Sequence, residues 1–342
     1  MIKRILAPVL AVVLLLSACQ AKPGERSEGG QLTIGVGGQP LLVYLPTTLA
    51  QRLGYYEDEG LNVTLEDLQG GSKALQALQG GSVDVVSGYY DHAIQMAAKD
   101  RDVQSFVSML RYPSLVIAVS PKASKPIESI ADLAGANVGV TAPGSSTDFF
   151  LKYLLGKEGL PADSATVQAV GGDSSAVAAM EQGRVDAAVM LDPAFSLLQQ
   201  RVGADEVQVL TDTRTAEGVQ EDFGVSTYPA AVLYSTGQWL ENNDDNARKL
   251  AKAIVRTLEW IDQHSAEEIA AEMPEEYAQG NRDVYVESIA KVKEAYSKDG
   301  TLEADGAEAV REVLAQFIPE VERADIDVST TFSNDYLPSE TS

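Results

Sequence analysis

Two distant stretches of the chain carry one pattern, and nothing else in the sequence limits the fold as strongly. Leu75-x-x-Leu78-Gln79-Gly80-Gly81-Ser82-Val83-Asp84-Val85-Val86 can be laid on Val177-x-x-Met180-Glu181-Gln182-Gly183-Arg184-Val185-Asp186-Ala187-Ala188. Each reads as amphipathic helix, glycine stop, Val-Asp, apolar strand. Upstream, Glu59-Gly60-Leu61 corresponds to Glu158-Gly159-Leu160, where the glycine suits the position just past a helix end. The pattern occurs twice and not more, which predicts a pair of similar units rather than a solenoid. Chance likeness between strand–helix–strand units, which share glycine stops, is the competing explanation.

Within each unit, short apolar runs alternate with helical periodicity. Strands are predicted over residues 32–36, 62–68 and 83–87, with helices from near Pro46 to Glu59 and over 73–79. The second unit repeats the order with strands 137–140, 166–170 and 185–190 and helices 146–157 and 175–182. Alternation of this kind predicts an α/β fold with a largely parallel sheet. Residues 193–202 read as helix, and 207–211 and 228–235 as strands. From Gln238 on the chain is mostly helical, with Leu250, Ile254, Leu258 and Ile261 at helical spacing. Trp239 and Trp260 are expected to pack this helical part onto the body. The apolar runs 115–119 and 230–234 are expected to cross between units. The predicted architecture is two α/β lobes with a ligand cleft and a C-terminal helical layer. Lobe 1 is expected over residues 32–118 with 230–342, and lobe 2 over 119–229.

The N-terminus reads as an export signal. Lys3 and Arg4 precede an apolar run too short for a bilayer, which needs roughly 20 residues. That run ends in Leu16-Ser17-Ala18-Cys19, which is similar to a bacterial lipobox with Cys19 as the lipidated residue. Residues 1–19 are thus expected to be a lipoprotein signal, and the polar residues 20–31 a flexible tether. Cys19 is the only cysteine, which excludes an intrachain disulfide or a thiolate metal centre. The formal charge is −24, or −26 without Lys3 and Arg4. So acidic a chain repels phosphate backbones, and no nucleic-acid partner is expected.

In open α/β sheets ligands bind beyond the carboxyl ends of the strands. Those ends carry Gln39 in one loop of lobe 1 and Tyr89, Tyr90, Asp91 and His92 in the other. In lobe 2 they carry Gly144, Ser145, Ser146 and Thr147, then Asp192. The segment 144–147 opens a helix and gathers hydroxyls and free backbone N–H groups, which suits an anionic or strongly polar ligand group. Ser145-x-x-Asp148 would also serve as a capping box with no ligand present. Tyr89, Tyr90 and Tyr228 could wall a ligand or simply pack. Arg214 and Arg111 are candidate cationic contacts that could equally sit in salt bridges, and His92 could be a structural histidine. No cofactor and no metal site are expected.

Several motifs in this order resemble a known family: the lipobox, Leu32-Thr33-Ile34-Gly35-Val36, Leu53-Gly54-Tyr55-Tyr56-x-x-Glu59-Gly60-Leu61, Gly80-Gly81-Ser82-Val83-Asp84, residues 130–140 (Ile130-Ala131-Asp132-Leu133 onward) and Gly144-Ser145-Ser146. They look like the periplasmic binding proteins for nitrate, sulfonates, taurine and thiamine-pyrimidine precursors, over about residues 31–320. The resemblance implies a type II periplasmic-binding fold that closes on its ligand and docks on an ABC permease and its ATPase. It implies a lipid-anchored monomer facing the periplasm or cell exterior. The implied ligand is a sulfonate, a nitrate-like anion or a pyrimidine precursor.

Enzyme readings find little to stand on. The yeast-type pyrimidine synthases share the fold, but they are implied to need a cysteine-rich iron site that this chain lacks. His92 and His264 are the only histidines, and no Gly-x-Ser-x-Gly or His-Glu-x-x-His motif occurs. A ligand-sensing lipoprotein without a transporter stays open.

Overall fold

A computed structural model describes residues 31–339. The signal, Cys19 and almost all of the tether expected from the sequence lie outside the described residues.

Lobe 1 starts with β1 (Gln31–Val36), α1 (Leu45–Arg52), α2 (Tyr55–Asp58), β2 (Asn62–Asp67), α3 (Gly71–Gln79), β3 (Val85–Tyr89), α4 (Asp91–Ala97) and β4 (Val103–Ser108). The helix expected from near Pro46 to Glu59 is split in two because Gly54 turns left-handed at φ +73°. The chain then enters lobe 2 with β5 (Val116–Val119), β6 (Asn137–Val140), α5 (Ser146–Lys157), β7 (Thr166–Ala169), α6 (Ser174–Glu181), β8 (Ala187–Met190), α7 (Ala194–Val202), β9 (Val209–Asp212) and α8 (Ala216–Phe223). It returns as β10 (Ala231–Thr236). The helices α9 (Gly237–Asn242), α10 (Asp244–Gln263), α11 (Ala266–Glu272), α12 (Arg282–Val292), α13 (Ala304–Ala315) and α14 (Pro319–Arg323) follow.

The two sheets have one topology. Strand order is β2-β1-β3-β10-β4 in lobe 1 and β7-β6-β8-β5-β9 in lobe 2. The first three strands of each are parallel. The fourth, β10 or β5, is antiparallel to both neighbours. In each lobe that antiparallel strand is the one arriving from the other lobe. The crossings therefore lie between β4 and β5 and between α8 and β10. The strand Val116–Val119 belongs wholly to the second sheet, so the first crossing falls earlier than residue 118. The two crossings run side by side, with the Tyr228 N–H donating to the Arg111 carbonyl (2.9 Å) and the Ala230 N–H to that of Leu110 (3.0 Å).

The repeated Val-Asp motif has one job in both lobes. The Asp84 carboxylate accepts the Thr33 backbone N–H at 2.8 Å, and the Asp186 carboxylate accepts that of Asn137 at 2.8 Å. Each aspartate thus holds the first half of its lobe's central parallel strand, at Thr33 in β1 and Asn137 in β6. This also explains why β3 and β8 begin at Val85 and Ala187, two residues later than expected. At Asp84 and Asp186 a side chain takes the donor that a ladder carbonyl would otherwise accept.

One continuous core fills lobe 1 and one face of the second sheet, and a smaller cluster around Val116, Met180, Met190 and Phe195 fills the other face. On α10, Leu250, Ile254, Leu258 and Ile261 are buried as one stripe. Burial of a side chain of this size contributes about 1.5–3 kcal/mol, which fixes this layer to lobe 1. From α12, Val284 joins the smaller cluster of lobe 2. Trp239 is buried as expected, whereas Trp260 is half-buried and stacks on His264 at 3.8 Å. No helix among the described residues is long and apolar enough to cross a membrane.

Candidate functional site

The carboxyl ends of both sets of parallel strands face each other, and their loops meet. The α3 start of lobe 1 touches the α5 start of lobe 2. The Ser72 backbone N–H donates to Ser145 Oγ at 3.0 Å, and Ser72 Oγ donates to the Pro143 carbonyl at 3.0 Å. Ser146 Oγ, at the first residue of α5, donates to Asp91 Oδ1 at 3.0 Å. His92 Nε2 lies 3.4 Å from the Gly144 carbonyl. On the far side, the Leu42 N–H donates to the Asp192 carbonyl at 3.0 Å. Two glycines allow this approach. A Cβ on Gly70 would lie 2.9 Å from Ala142 Cβ, and one on Gly172 would lie 2.9 Å from the Leu41 side chain. By the register of the duplication, Gly70 and Gly172 are equivalent positions.

The lobes are therefore closed on each other. Between them lie two small cavities that share Tyr89, Leu115 and Ser146. Each holds 10–20 Å³, room for about one water. One is walled by Phe149, Phe150, Phe223 and Tyr228 and carries Asp91. The other is bounded by Tyr44, Gly71, Thr141 and residues 145–147. A wider groove of about 190 Å³ opens at the lips, lined by Gly37, Gly38, Asp67, Gln69 and the α6 start.

Placement of the individual candidates follows from these contacts. Asp91 begins α4 and is 5% exposed. Burial pushes its pKa up, partly offset by the neighbouring His92 and the Ser146 hydroxyl. Tyr89 and Tyr228 line the Asp91 cavity. Burial pushes both phenols well above their usual range; Tyr44 adds to this at Tyr89, and Asp91 adds at both. Tyr89 meets Tyr44 edge to face at 6.1 Å and Tyr228 stacks on Phe223 at 4.3 Å. Ser145 and Ser146 bond across to lobe 1. Thr147 turns inward, its hydroxyl accepting the Thr141 N–H at 3.1 Å. The capping box expected at Ser145 and Asp148 does not form. Asp148 instead accepts the Gly144 N–H (2.7 Å) and the Lys152 ammonium (2.9 Å), which leaves the Ser145 hydroxyl free to reach Ser72. The comparable box at Ser129 and Asp132 does form.

The side chains of five candidates lie elsewhere. The Tyr90 side chain is buried within lobe 1, its hydroxyl on Thr331 and its ring edge to face with Phe332. Gln39 offers its backbone N–H to Asp67 at 3.2 Å, near the outer groove. Asp192 and Arg214 form a buried pair at 2.9 Å, and the guanidinium also forks onto Asp212 while covering the Phe195 ring. Arg111 donates to the Glu294 carbonyl and stacks over Tyr112. Sequence reasoning missed Tyr44, Ser72 and the phenylalanines of α5. Of these, Ser72 was accessible, because it follows Gly70 in the repeat as Ser174 follows Gly172. Among the described residues, no cluster of His, Cys, Asp and Glu could hold a metal ion.

Residues 43–268, most of both lobes, match the profile of the NMT1/THI5-like family. The chain belongs to the NMT1/THI5-like family. A solved structure from Bordetella bronchiseptica RB50 is 39% identical, with a TM-score of 0.87, covering 91% of this chain and 97% of that one. The alkanesulfonate-binding protein of Xanthomonas axonopodis pv. citri bound to MOPS has a TM-score of 0.70 at 19% identity, covering 90% of this chain and 99% of that one. It shows the fold, that of the periplasmic binding proteins, which the paired sheets and double crossing described above share. Two curated relatives of this chain differ in kind. The formylaminopyrimidine-binding protein of Halalkalibacterium halodurans is 23% identical over 256 residues, 74% of this chain and 73% of its own length. The 4-amino-5-hydroxymethyl-2-methylpyrimidine phosphate synthase of Aspergillus parasiticus is 25% identical over 224 residues, 64% of this chain and 63% of its own length. Proteins similar to this chain thus include ones named as binding proteins and one named as a synthase.

Proposed function

We propose that the chain is the exported solute-binding component of an ABC importer, holding a small organic solute between its lobes and handing it to the permease. The observation that carries this reading is the cross-lobe contact at the strand ends, where Ser72 and Asp91 of lobe 1 meet Ser145 and Ser146 of lobe 2. A solute inserted there would touch both lobes and favour closure. A ligand touching one lobe alone would shift nothing, because only differential affinity moves such an equilibrium. Tyr89, Asp91, Ser145, Ser146 and Tyr228 are the proposed contacts, with Thr147 supporting α5, Gln39 beside the entrance, and the Asp192–Arg214 pair supporting the lobe 2 wall. Anchoring through Cys19, with the body outside the cytoplasmic membrane as a monomer, completes the proposal.

The synthase reading lacks residues to carry it, since the chain's one cysteine is Cys19 and its two histidines are engaged in packing. The His92 side chain is buried against Phe149 and Tyr234, and His264 stacks on Trp260.

A thermal-shift screen of small solutes tests the reading. A true ligand at a hundredfold its Kd stabilises by about 2.7 kcal/mol, several degrees in melting temperature. Cells lacking the chain should then lose uptake of that solute. Stabilisation with unchanged uptake would defeat transport and favour the sensing lipoprotein.

A further inference from the structure

Beside the first crossing lies a recess that shares no lining residue with the cleft cavities or the groove at the lips. It measures about 340 Å³, against about 190 Å³ for that groove. Arg111 reaches it from the crossing, and Lys293 and Lys298 from the segment that follows α12. Its apolar lining comes from the buried Leu258 and Ile261 of α10 and from Tyr296.

In a chain of formal charge −24, this lining carries three cations against two carboxylates, Asp262 and Glu294. Lys298 and Asp262 face each other at 3.9 Å, both exposed, and offset one another. Arg111 and Lys293 are half-buried and are held by backbone carbonyls. Arg111 Nη2 donates to the Glu294 carbonyl at 2.8 Å, and its Nε is buried with no hydrogen-bond partner. Lys293 Nζ donates to the carbonyls of His264 (2.6 Å) and Asp262 (3.2 Å), which leaves a third N–H. The Glu294 side chain is exposed, and so is Glu268, which the Ser265 capping box holds. Charges in water are screened, whereas half-buried cations with donors to spare bind an anion through charge-assisted hydrogen bonds.

We propose that this recess is a second binding site, outside the cleft, for a small organic anion whose carboxylate takes Arg111 and Lys293 and whose apolar body lies on Leu258, Ile261 and Tyr296. The proposal stands on this geometry and does not depend on the solute-binding reading above. Arg111 is also where the crossings meet the C-terminal layer. Its N–H donates to the Ala295 carbonyl at 2.9 Å, and its carbonyl accepts the Tyr228 N–H of the second crossing at 2.9 Å. An anion shared by Arg111 and Lys293 adds a side-chain tie beside that backbone bond.

The test is calorimetric titration of the full chain in mild detergent, at low ionic strength, with benzoate and hexanoate and with their neutral counterparts benzamide and hexanamide. Arg111→Gln, Lys293→Gln and, in the cleft, Ser146→Ala are titrated alongside, with melting curves to establish that each folds. Lys293→Gln decides the matter if Arg111→Gln does not fold. The expected result is that both carboxylates bind, that the amides bind at least about tenfold more weakly, and that each loss of a cation weakens the carboxylates about tenfold while Ser146→Ala leaves them unchanged. Amides that bind as tightly as their carboxylates would overturn the proposal, because the cations would then read nothing. Carboxylate binding that survives both Arg111→Gln and Lys293→Gln, or that Ser146→Ala abolishes, would overturn it by placing the anion elsewhere. Absence of carboxylate binding at about 10 mM would overturn it as well.

Discussion

Lobe 1 and lobe 2 share a topology and a register, yet each places a buried aspartate at the end of its third parallel strand and treats it differently. In lobe 2, Asp192 is paired within its own lobe, with Arg214 at 2.9 Å and the Ser196 hydroxyl at 2.7 Å. In lobe 1, Asp91 finds its hydroxyl partner, Ser146, in the opposite lobe. The first arrangement is part of the fold and survives opening. The second exists only when the cleft is shut. The two lobes are thus like frames that differ in how this end of the third strand is held.

The largest expected effect comes from breaking the pair that belongs to lobe 2. Arg214→Ala leaves Asp192 buried without its cation and should cost about 3–5 kcal/mol in urea unfolding. Ser146→Ala removes a neutral donor from Asp91 and should cost about 1 kcal/mol. Equal costs would erase the distinction drawn here.

Next in size is the acid response, where two aspartates carry opposite signs. At Asp186 burial is the largest influence and raises the pKa. The Ser124 and Asn137 hydrogen bonds outweigh it, so the folded pKa is lowered. Its contribution is present above the ordinary carboxylate pKa and is lost as pH falls through the lowered value. Asp186→Asn should therefore cost about 1–3 kcal/mol near neutrality and flatten the acid limb of a melting-temperature profile. Burial raises the pKa of Asp91, so its stabilising contribution is present at low pH and is lost as pH rises through the folded value. Asp91→Asn should hence raise the melting temperature at pH 7 relative to wild type and lose that advantage at pH 3. Profiles that move in the same direction would contradict the assignment.

The smallest effect separates the two equivalent glycines. Gly70→Ala sets a methyl against Ala142 Cβ, which cannot swing aside, while Gly172→Ala meets the mobile tip of Leu41. Gly70→Ala should open the cleft, seen as a larger radius of gyration in solution scattering, and Gly172→Ala should change it little. Both should melt close to wild type.

Much of this frame was legible in the sequence. The Val-Asp repeat marked the strands that Asp84 and Asp186 hold, and α5 and β6 fall on their expected residues. Local pattern carries such features because each depends on neighbours in sequence. Partners across the cleft depend on how two lobes dock. The Ser145–Asp148 spacing suggests a capping box, but docking recruits the Ser145 hydroxyl to Ser72. Tyr89 and Tyr90 are adjacent and chemically alike, but Tyr89 ends β3 and lines the cleft, while Tyr90 has left the strand with helical backbone angles and packs inside lobe 1. For Arg214, the sequence left ligand contact and salt bridge equally open, and the fold places it between two carboxylates.

The central claim is that side-chain bonds at the strand ends hold two like lobes shut. Electron-spin distance measurements between labels at Gln69→Cys and Ser174→Cys, exposed on opposite lips of the groove, test it directly. The native Cys19 is replaced by serine for this purpose. The account predicts that adding Ser72→Ala and Ser146→Ala moves population from a short to a longer distance. A distribution unchanged by both substitutions would contradict it.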